Sequence, residues 1–192
     1  DGHASAVARL LGLRPLIKMY TLRYRVALMA PLQAVEVWLS PKYPGGYAWL
    51  IPAGKHAVIA TGMAQELAEA ALRDLHKQLH EAGIVGSAIL GHSAGAVPVE
   101  GLRQKLTHGN ILFAGDAGGL AHPLTGAGIH PAVVSGEAAG RAAAEWSTGH
   151  LGAIPAYEAK MRGQFGETMS RALRRREPLQ SPVGAELGRP GL

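Results

Sequence analysis

Between positions 110 and 149 the chain reads NILFAGDAGGLAHPLTGAGIHPAVVSGEAAGRAAAEWSTG, and that order leaves few folds open. The short apolar run 111–114 predicts a buried strand that stops at Gly115-Asp116. Gly118, Gly119, Pro123, Gly126 and Gly128 then fall in one loop. A helix is expected from Gly128 or Ile129 to about Thr148, with Ile129, Ala132, Val133, Gly136, Ala139, Gly140 and Ala143 along one mostly small-sided stripe. An aspartate at a strand end accepts hydrogen bonds from polyol hydroxyls. The loop glycines admit a ligand close to backbone N–H groups, and the helix start offers unpaired amides and a positive dipole end. Together these parts describe a cradle for a large cofactor with a polyol and a charge-accepting ring.

Gly115-Asp116-Ala117, Pro123, Thr125-Gly126, Gly128-Ile129 and Ser135-Gly136 resemble the second FAD-binding motif of glutathione-reductase-type flavoproteins, most closely the geranylgeranyl reductase branch. The resemblance implies that Asp116 binds the ribityl chain of FAD. It also implies that Gly115, Pro123 and the stretch Gly126, Ala127, Gly128 and Ile129 lie against the cofactor, with the helix start under the pyrimidine edge of the flavin. A helix N-terminus there stabilises the negative charge of a reduced flavin. The opening Asp1-Gly2-His3-Ala4-Ser5 resembles the D-G-x-x-S motif of the same proteins, in which Asp1 and Gly2 approach FAD from the opposite side. A short helix should follow, capped by Ser5, with Val7, Leu10 and Leu11 buried and Gly12 at its end. The family's G-x-G-x-x-G fingerprint does not occur, and the expectation is a fragment, or a chain whose dinucleotide-binding half is supplied elsewhere.

Positions 17–28 alternate, with Tyr20, Leu22, Tyr24, Val26 and Leu28 on one side and Thr21, Arg23 and Arg25 on the other. Val35, Val37 and Leu39 alternate with Glu36 and Ser40 in a second predicted strand. Strands 47–51 and 57–61 surround the Ala53-Gly54-Lys55 turn, and 87–99 makes another. Short turns between successive strands point to an antiparallel meander. Tyr47-Ala48-Trp49-Leu50-Ile51-Pro52, with Gly62 beyond, resembles the family's Tyr-x-Trp-x-Phe-Pro…Gly-x-Gly motif, which lines an apolar channel for an isoprenoid. Ile51 stands for the phenylalanine and Ala60 for the first glycine. Tyr47, Trp49 and Pro52 are thereby the candidate substrate residues.

Stretch 64–82 is amphipathic, with Leu67, Ala68, Ala71, Leu72, Leu75, Leu79 and Ala82 in one stripe. His76 and His80 stand four apart, but Lys77 replaces the glutamate of a metalloprotease helix and no third ligand is evident. They are expected to face solvent, and no metal site is expected. Gly91-His92-Ser93-Ala94-Gly95 is a G-x-S-x-G, and a serine hydrolase would use Ser93 with Asp116 and one of His122, His130 or His150. That chemistry requires a strand-to-helix turn, whereas the proline-interrupted 96–101 is extended. A last helix should begin near Pro155 and bury Tyr157, Met161, Phe165, Met169 and Leu173. It leads to an arginine cluster on a solvated face and a frayed tail at 177–192.

The fold class implied is α/β: a split, incomplete FAD-binding domain (1–12 and 104–150) with an inserted, mostly antiparallel substrate sheet (13–103), then a C-terminal helix at 151–176. The 192 residues suffice for one or two cores, and the apolar runs are too short to span a bilayer as a helix. With no cysteine, disulfide and thiolate chemistry are excluded within the chain, which is compatible with a cytoplasmic setting. The net charge of +5 has no interleaved aromatics to stack bases, so nucleic acid is not expected. A lipid substrate is compatible with peripheral membrane contact.

The resemblance implies FAD-dependent reduction of carbon–carbon double bonds in a polyprenyl-type lipid, with NAD(P)H or ferredoxin as electron donor and no catalytic side chain identifiable. A flavin monooxygenase of the para-hydroxybenzoate hydroxylase type shares the D-G and G-D motifs and is the nearest alternative. A chain that folds and binds no ligand is the other.

Overall fold

The alternation at 17–28 becomes strand β1 (Lys18–Leu28) in the computed structural model, which describes residues 1–180. Strands β2 (Glu36–Trp38), β3 (Tyr47–Ala53), β4 (His56–Met63) and β5 (Val85–Pro98) join it in one sheet of order β2-β3-β4-β1-β5. The β1–β4, β2–β3 and β3–β4 pairs are antiparallel. Gly86 lies against Ala27 and Gly95 against Thr21, so β5 also runs opposite to β1.

Helix α2 (Gln65–Glu81) covers one face of this sheet. Ala68, Leu72, Leu75 and Leu79 pack on Val26, Ala48, Leu50, Ala57, Ile59 and Val85. The Thr61 hydroxyl, fully buried, donates to the Ala68 carbonyl at 3.2 Å, so its polar atom is satisfied within the core. His76 and His80 are not simply solvated. Their rings bond the carbonyls of Gly86 at 3.0 Å and Val85 at 3.1 Å, tying α2 to the start of β5, and His76 meets Tyr24 edge-on. Gly46 has no room for a side chain, since a Cβ there would stand 1.7 Å from the Gly62 carbonyl oxygen.

The edge strand β2 reverses the expected facing. Trp38 pairs with Ala48 and Glu36 with Leu50, both on the helix-covered side, and Trp38 packs on the core. Val35, Val37 and Leu39 are instead more than half exposed. Alternation gives a strand its period but not its face, and one indole outweighed three aliphatic chains.

The chain forms two compact units: Asp1–Lys18 with Val97–Arg176, and Met19–Ala96 with the described residues of 177–180. In the first, α1 (Ala6–Leu10) is capped as expected, the Ser5 hydroxyl accepting from the Ala8 N–H at 3.0 Å. It buries Ala8 against Phe113 and Ala117, however, and leaves Val7, Leu10 and Leu11 exposed. The strand foreseen at 111–114 is only β7 (Ile111–Leu112), paired with β6 (Thr107–His108).

Helices α3 (Ile129–Ser147) and α4 (Ala153–Arg176) share a core with Leu106 and Leu120. The small-sided stripe of α3 is not the buried one. Pro131, Ser135, Ala138 and Ala142 face inward, while Ile129, Val133, Gly136 and Gly140 face out. On α4 the face from Tyr157 to Met169 is buried as its spacing predicts. The last arginine departs from the solvated cluster: Arg176 is buried and donates to the Pro123 carbonyl at 3.0 Å. Residues 177–180 form a 3-10 turn, and the rest of the expected tail lies outside the described residues. No helix among the described residues is long and apolar enough to cross a membrane.

Candidate cofactor site

After β7 the chain makes a 3-10 turn, Gly115–Gly118, that carries Asp116. Three backbone constraints hold the turn. Gly115 has φ +52°, and its N–H donates to the Ser135 hydroxyl at 2.9 Å. Ser135 donates in turn to the Pro131 carbonyl at 2.6 Å, which locks the turn to the first turns of α3. Gly119 has φ +73°, and a Cβ there would stand 2.2 Å from the Gly101 carbonyl oxygen.

The loop 122–127 is closed on itself. Gly126 N–H donates to the His122 carbonyl at 2.8 Å, and His122 N–H to the Ala127 carbonyl at 2.8 Å. The Thr125 N–H donates to His122 Nδ1 at 3.2 Å, which requires that nitrogen to be an acceptor. Arg176 holds the same loop from behind through Pro123.

Asp116 and the start of α3 come together. A Cβ built on Gly128, the N-cap residue, would lie 3.3 Å from Asp116 Oδ1. Beside them opens a cleft of about 570 Å³ lined by Gly2, Val97, Ala114, Gly115, Asp116, Gly126, Gly128, Ile129 and Ala132. No described residue hydrogen-bonds the Asp116 carboxylate, and burial pushes its pKa up against a weaker lowering by His3. The first amides of α3 have no intrahelical acceptor. The cleft thus presents an acceptor without donors close beside donors without intrahelical acceptors.

Six of the nine residues expected at the cofactor line this cleft: Gly2, Gly115, Asp116, Gly126, Gly128 and Ile129. Asp1 does not line it; one of its carboxylate oxygens accepts from the Ser5 hydroxyl and the other from the Ala6 N–H at 2.9 Å, the first amide of α1. Pro123 is buried behind the loop, and Ala127 is exposed on it. On the sheet, Tyr47 and Trp49 share the face turned away from α2, their rings 5.2 Å apart. Pro52 falls by alternation on the opposite face. Ser93 sits inside β5, not on a strand-to-helix turn, so the hydrolase geometry is absent.

Sequence reasoning passed over a second polar cluster in the same unit. Glu100 accepts from both terminal nitrogens of Arg14, at 2.9 Å for Nη1, and from the Ile17 N–H at 2.6 Å. Arg103, buried, donates to the carbonyls of Ala117 at 2.6 Å and Arg14 at 3.1 Å and lies over the Phe113 ring. Burial alone would raise the Glu100 pKa. The bonds from Arg14 and Ile17 and the charges of Arg14 and Arg103 outweigh it and hold the carboxyl below its ordinary value. Partners 86 positions apart leave no local signature.

The fold matches part of that of FAD-dependent oxidoreductases. A geranylgeranyl bacteriochlorophyll reductase-like protein from Thermoplasma acidophilum superposes with a TM-score of 0.85 at 21% identity, over 97% of this chain and 51% of that one. The p-nitrophenol 4-monooxygenase PnpA from Pseudomonas putida gives a TM-score of 0.65 at 17% identity, over 94% and 49%. In sequence, digeranylgeranylglycerophospholipid reductase 2 of Methanothermobacter thermautotrophicus is 31% identical over 199 residues, covering 97% of this chain and 51% of the relative. The digeranylgeranylglycerophospholipid reductase of Methanocella arvoryzae is 31% identical over 186 residues, covering 89% and 46%. No protein-family model matches. Over nearly its whole length the chain is similar to the geranylgeranyl reductase family, and it spans about half the length of the curated relatives it matches.

Proposed function

We propose that this chain carries the ribityl-and-ring half of a FAD site and the lipid-facing sheet of a reductase that saturates double bonds in the polyprenyl chains of a phospholipid. The observation that carries the reading is the cleft at Asp116, where an acceptor lacking donors faces the open amides of α3 across glycines that a Cβ would crowd. Asp116 suits ribityl hydroxyls, and the amides at Gly128 and Ile129 suit the electron-rich edge of an isoalloxazine. Bound FAD supplies hydride chemistry. The chain's own residues bind it, fix its orientation and, through Tyr47 and Trp49, offer an apolar wall to the alkene. No side chain is assigned as proton donor. The names of the sequence relatives favour a glycerophospholipid carrying geranylgeranyl chains over other isoprenoids.

The test is the visible spectrum of the purified full-length protein, followed by anaerobic incubation of the reduced form with a geranylgeranyl phospholipid. A flavin spectrum and a product heavier by two hydrogens per double bond are expected. A colourless protein whose melting temperature is unchanged in excess FAD would sink the cofactor reading. Oxygen consumption with a hydroxylated product would replace reduction with monooxygenation.

A further inference from the structure

The sheet face turned away from α2 is divided by charge. Across β2, β3 and β4 it is apolar: Val37 pairs with Trp49, Trp49 with Ala60, and Ile51 with Val58. On β1 the same rows end at Arg23, opposite Ala60, and Arg25, opposite Val58. Two strand spacings separate Trp49 from Arg23, roughly 10 Å. Beside the arginines a cavity of about 340 Å³ is lined by Arg23, Tyr24, Arg25 and Val58 with Gly91, His92 and Ser93 of β5. Gly91 lies against Arg25 and Gly95 against Thr21, so by alternation the Ser93 side chain shares the arginines' face.

Two features argue against an ordinary solvated face. Arg23 and Arg25 are alternate residues on one side of a strand, so their stems emerge roughly 7 Å apart. Neither forms an ion pair among the described residues. Arg23 has no described partner, and Arg25 reaches only the Leu90 carbonyl, at 3.4 Å. The five strands contain one carboxylate, Glu36, and its pairing with Leu50 puts it on the helix-covered side. Two like charges without a counter-charge, next to a hydroxyl and at the end of an apolar strip, match one ligand chemistry. That chemistry is a phosphate monoester or diester joined to a hydrocarbon chain.

We propose that Arg23 and Arg25, with Ser93, form the subsite for the phosphate head of the lipid, and that its chain runs along the row from Ala60 to Trp49 and Val37. This rests on the lipid reading above and adds to it the recognition of the head.

Farnesyl phosphate and farnesol share a chain and differ in the phosphate. Their binding to the full-length protein, followed by tryptophan fluorescence, separates head from chain. The wild type is expected to bind farnesyl phosphate at least about tenfold tighter than farnesol, with the preference shrinking as salt rises. Arg23→Gln with Arg25→Gln should abolish the preference and leave farnesol binding unchanged. Removing two other charges on exposed α2 positions, Arg73→Gln with Lys77→Gln, should preserve it.

No preference in the wild type, or an equal loss in both double variants, overturns the proposal. If the arginine variant does not fold, competition on the wild type decides. Inorganic phosphate that displaces farnesyl phosphate at equal concentration overturns a lipid subsite in favour of a free-anion site, and failure to displace supports the lipid. An arginine-dependent preference in a protein that binds no FAD would uphold this subsite while the reductase reading falls.

Discussion

Glu100 accepts from Arg14 through both carboxylate oxygens and from the Ile17 amide, whereas the Asp116 carboxylate, in the same unit, accepts from no described residue. Both carboxylates are partly buried, and their pKa values move in opposite directions, Glu100 down and Asp116 up. The donors around Glu100 are supplied by the fold, and they pin the passage at 13–18 to the one at 97–103. The donors Asp116 lacks are ones a ligand supplies. The contrast separates a carboxylate that serves the architecture from one kept at a cost for binding.

The two regions abut at Gly119, whose Cα sits against the Gly101 carbonyl while Arg103 N–H donates to the Gly118 carbonyl at 3.0 Å. Gly119→Ala should therefore damage both at once and give the largest effect. A Cβ 2.2 Å from a backbone oxygen at φ +73° costs more than about 3 kcal/mol. Chemical denaturation with intact FAD affinity in the surviving fold would show that the regions are set independently.

Asp116→Ala and Glu100→Ala should then part company. The first should weaken FAD binding by roughly 10- to 100-fold, the scale of charge-assisted hydrogen bonds, with the melting temperature unchanged or raised. The second should lower the melting temperature and leave the FAD affinity of the folded protein alone. Equal melting losses in both variants would break the comparison. Gly128→Ala is a milder version of the first. Its Cβ, 3.3 Å from Asp116 Oδ1, narrows the cleft without clashing with backbone, so a several-fold loss of FAD affinity with normal folding is expected, by titration calorimetry and thermal melts.

The cleft was legible in the sequence because its parts are local. Asp116, Gly126, Gly128 and Ile129 stand within fourteen positions, and glycine and helix-start chemistry act over such distances. The loop's supports were not, since nothing at Arg176 distinguishes it from Arg174 and Arg175 until α4 carries it beneath Pro123. His122 likewise acts through a ring nitrogen on the Thr125 amide, which composition does not reveal. The sheet's strands were legible by alternation, but the facing of β2 was decided by Trp38 against Ala48 across the strand pair. The Glu100 cluster joins residues far apart in the chain, and only the topology brings them together.

The smallest expected effect is the sharpest test of the contrast, because it turns on sign. A carboxyl whose folded pKa lies above its unfolded value contributes most stability when protonated and loses it as pH rises through the folded pKa. Asp116 is such a group, burial being the main cause. Glu100, held down, contributes stability above its unfolded pKa and loses it as pH falls through the folded one. Relative to Asp116→Asn, the FAD-free wild type should therefore gain stability as pH is lowered from about 7 to about 3. Relative to Glu100→Gln it should lose stability over the same range. Thermal melts of the three proteins across that interval measure both slopes. Ribityl hydroxyls donating to Asp116 would favour its ionised form. FAD should thus bind the wild type more tightly as pH rises through the acid range, and much less so the Asp116→Asn variant. Slopes of one sign for the two carboxyls would mean that Asp116 has donors of its own and is not held open for a ligand.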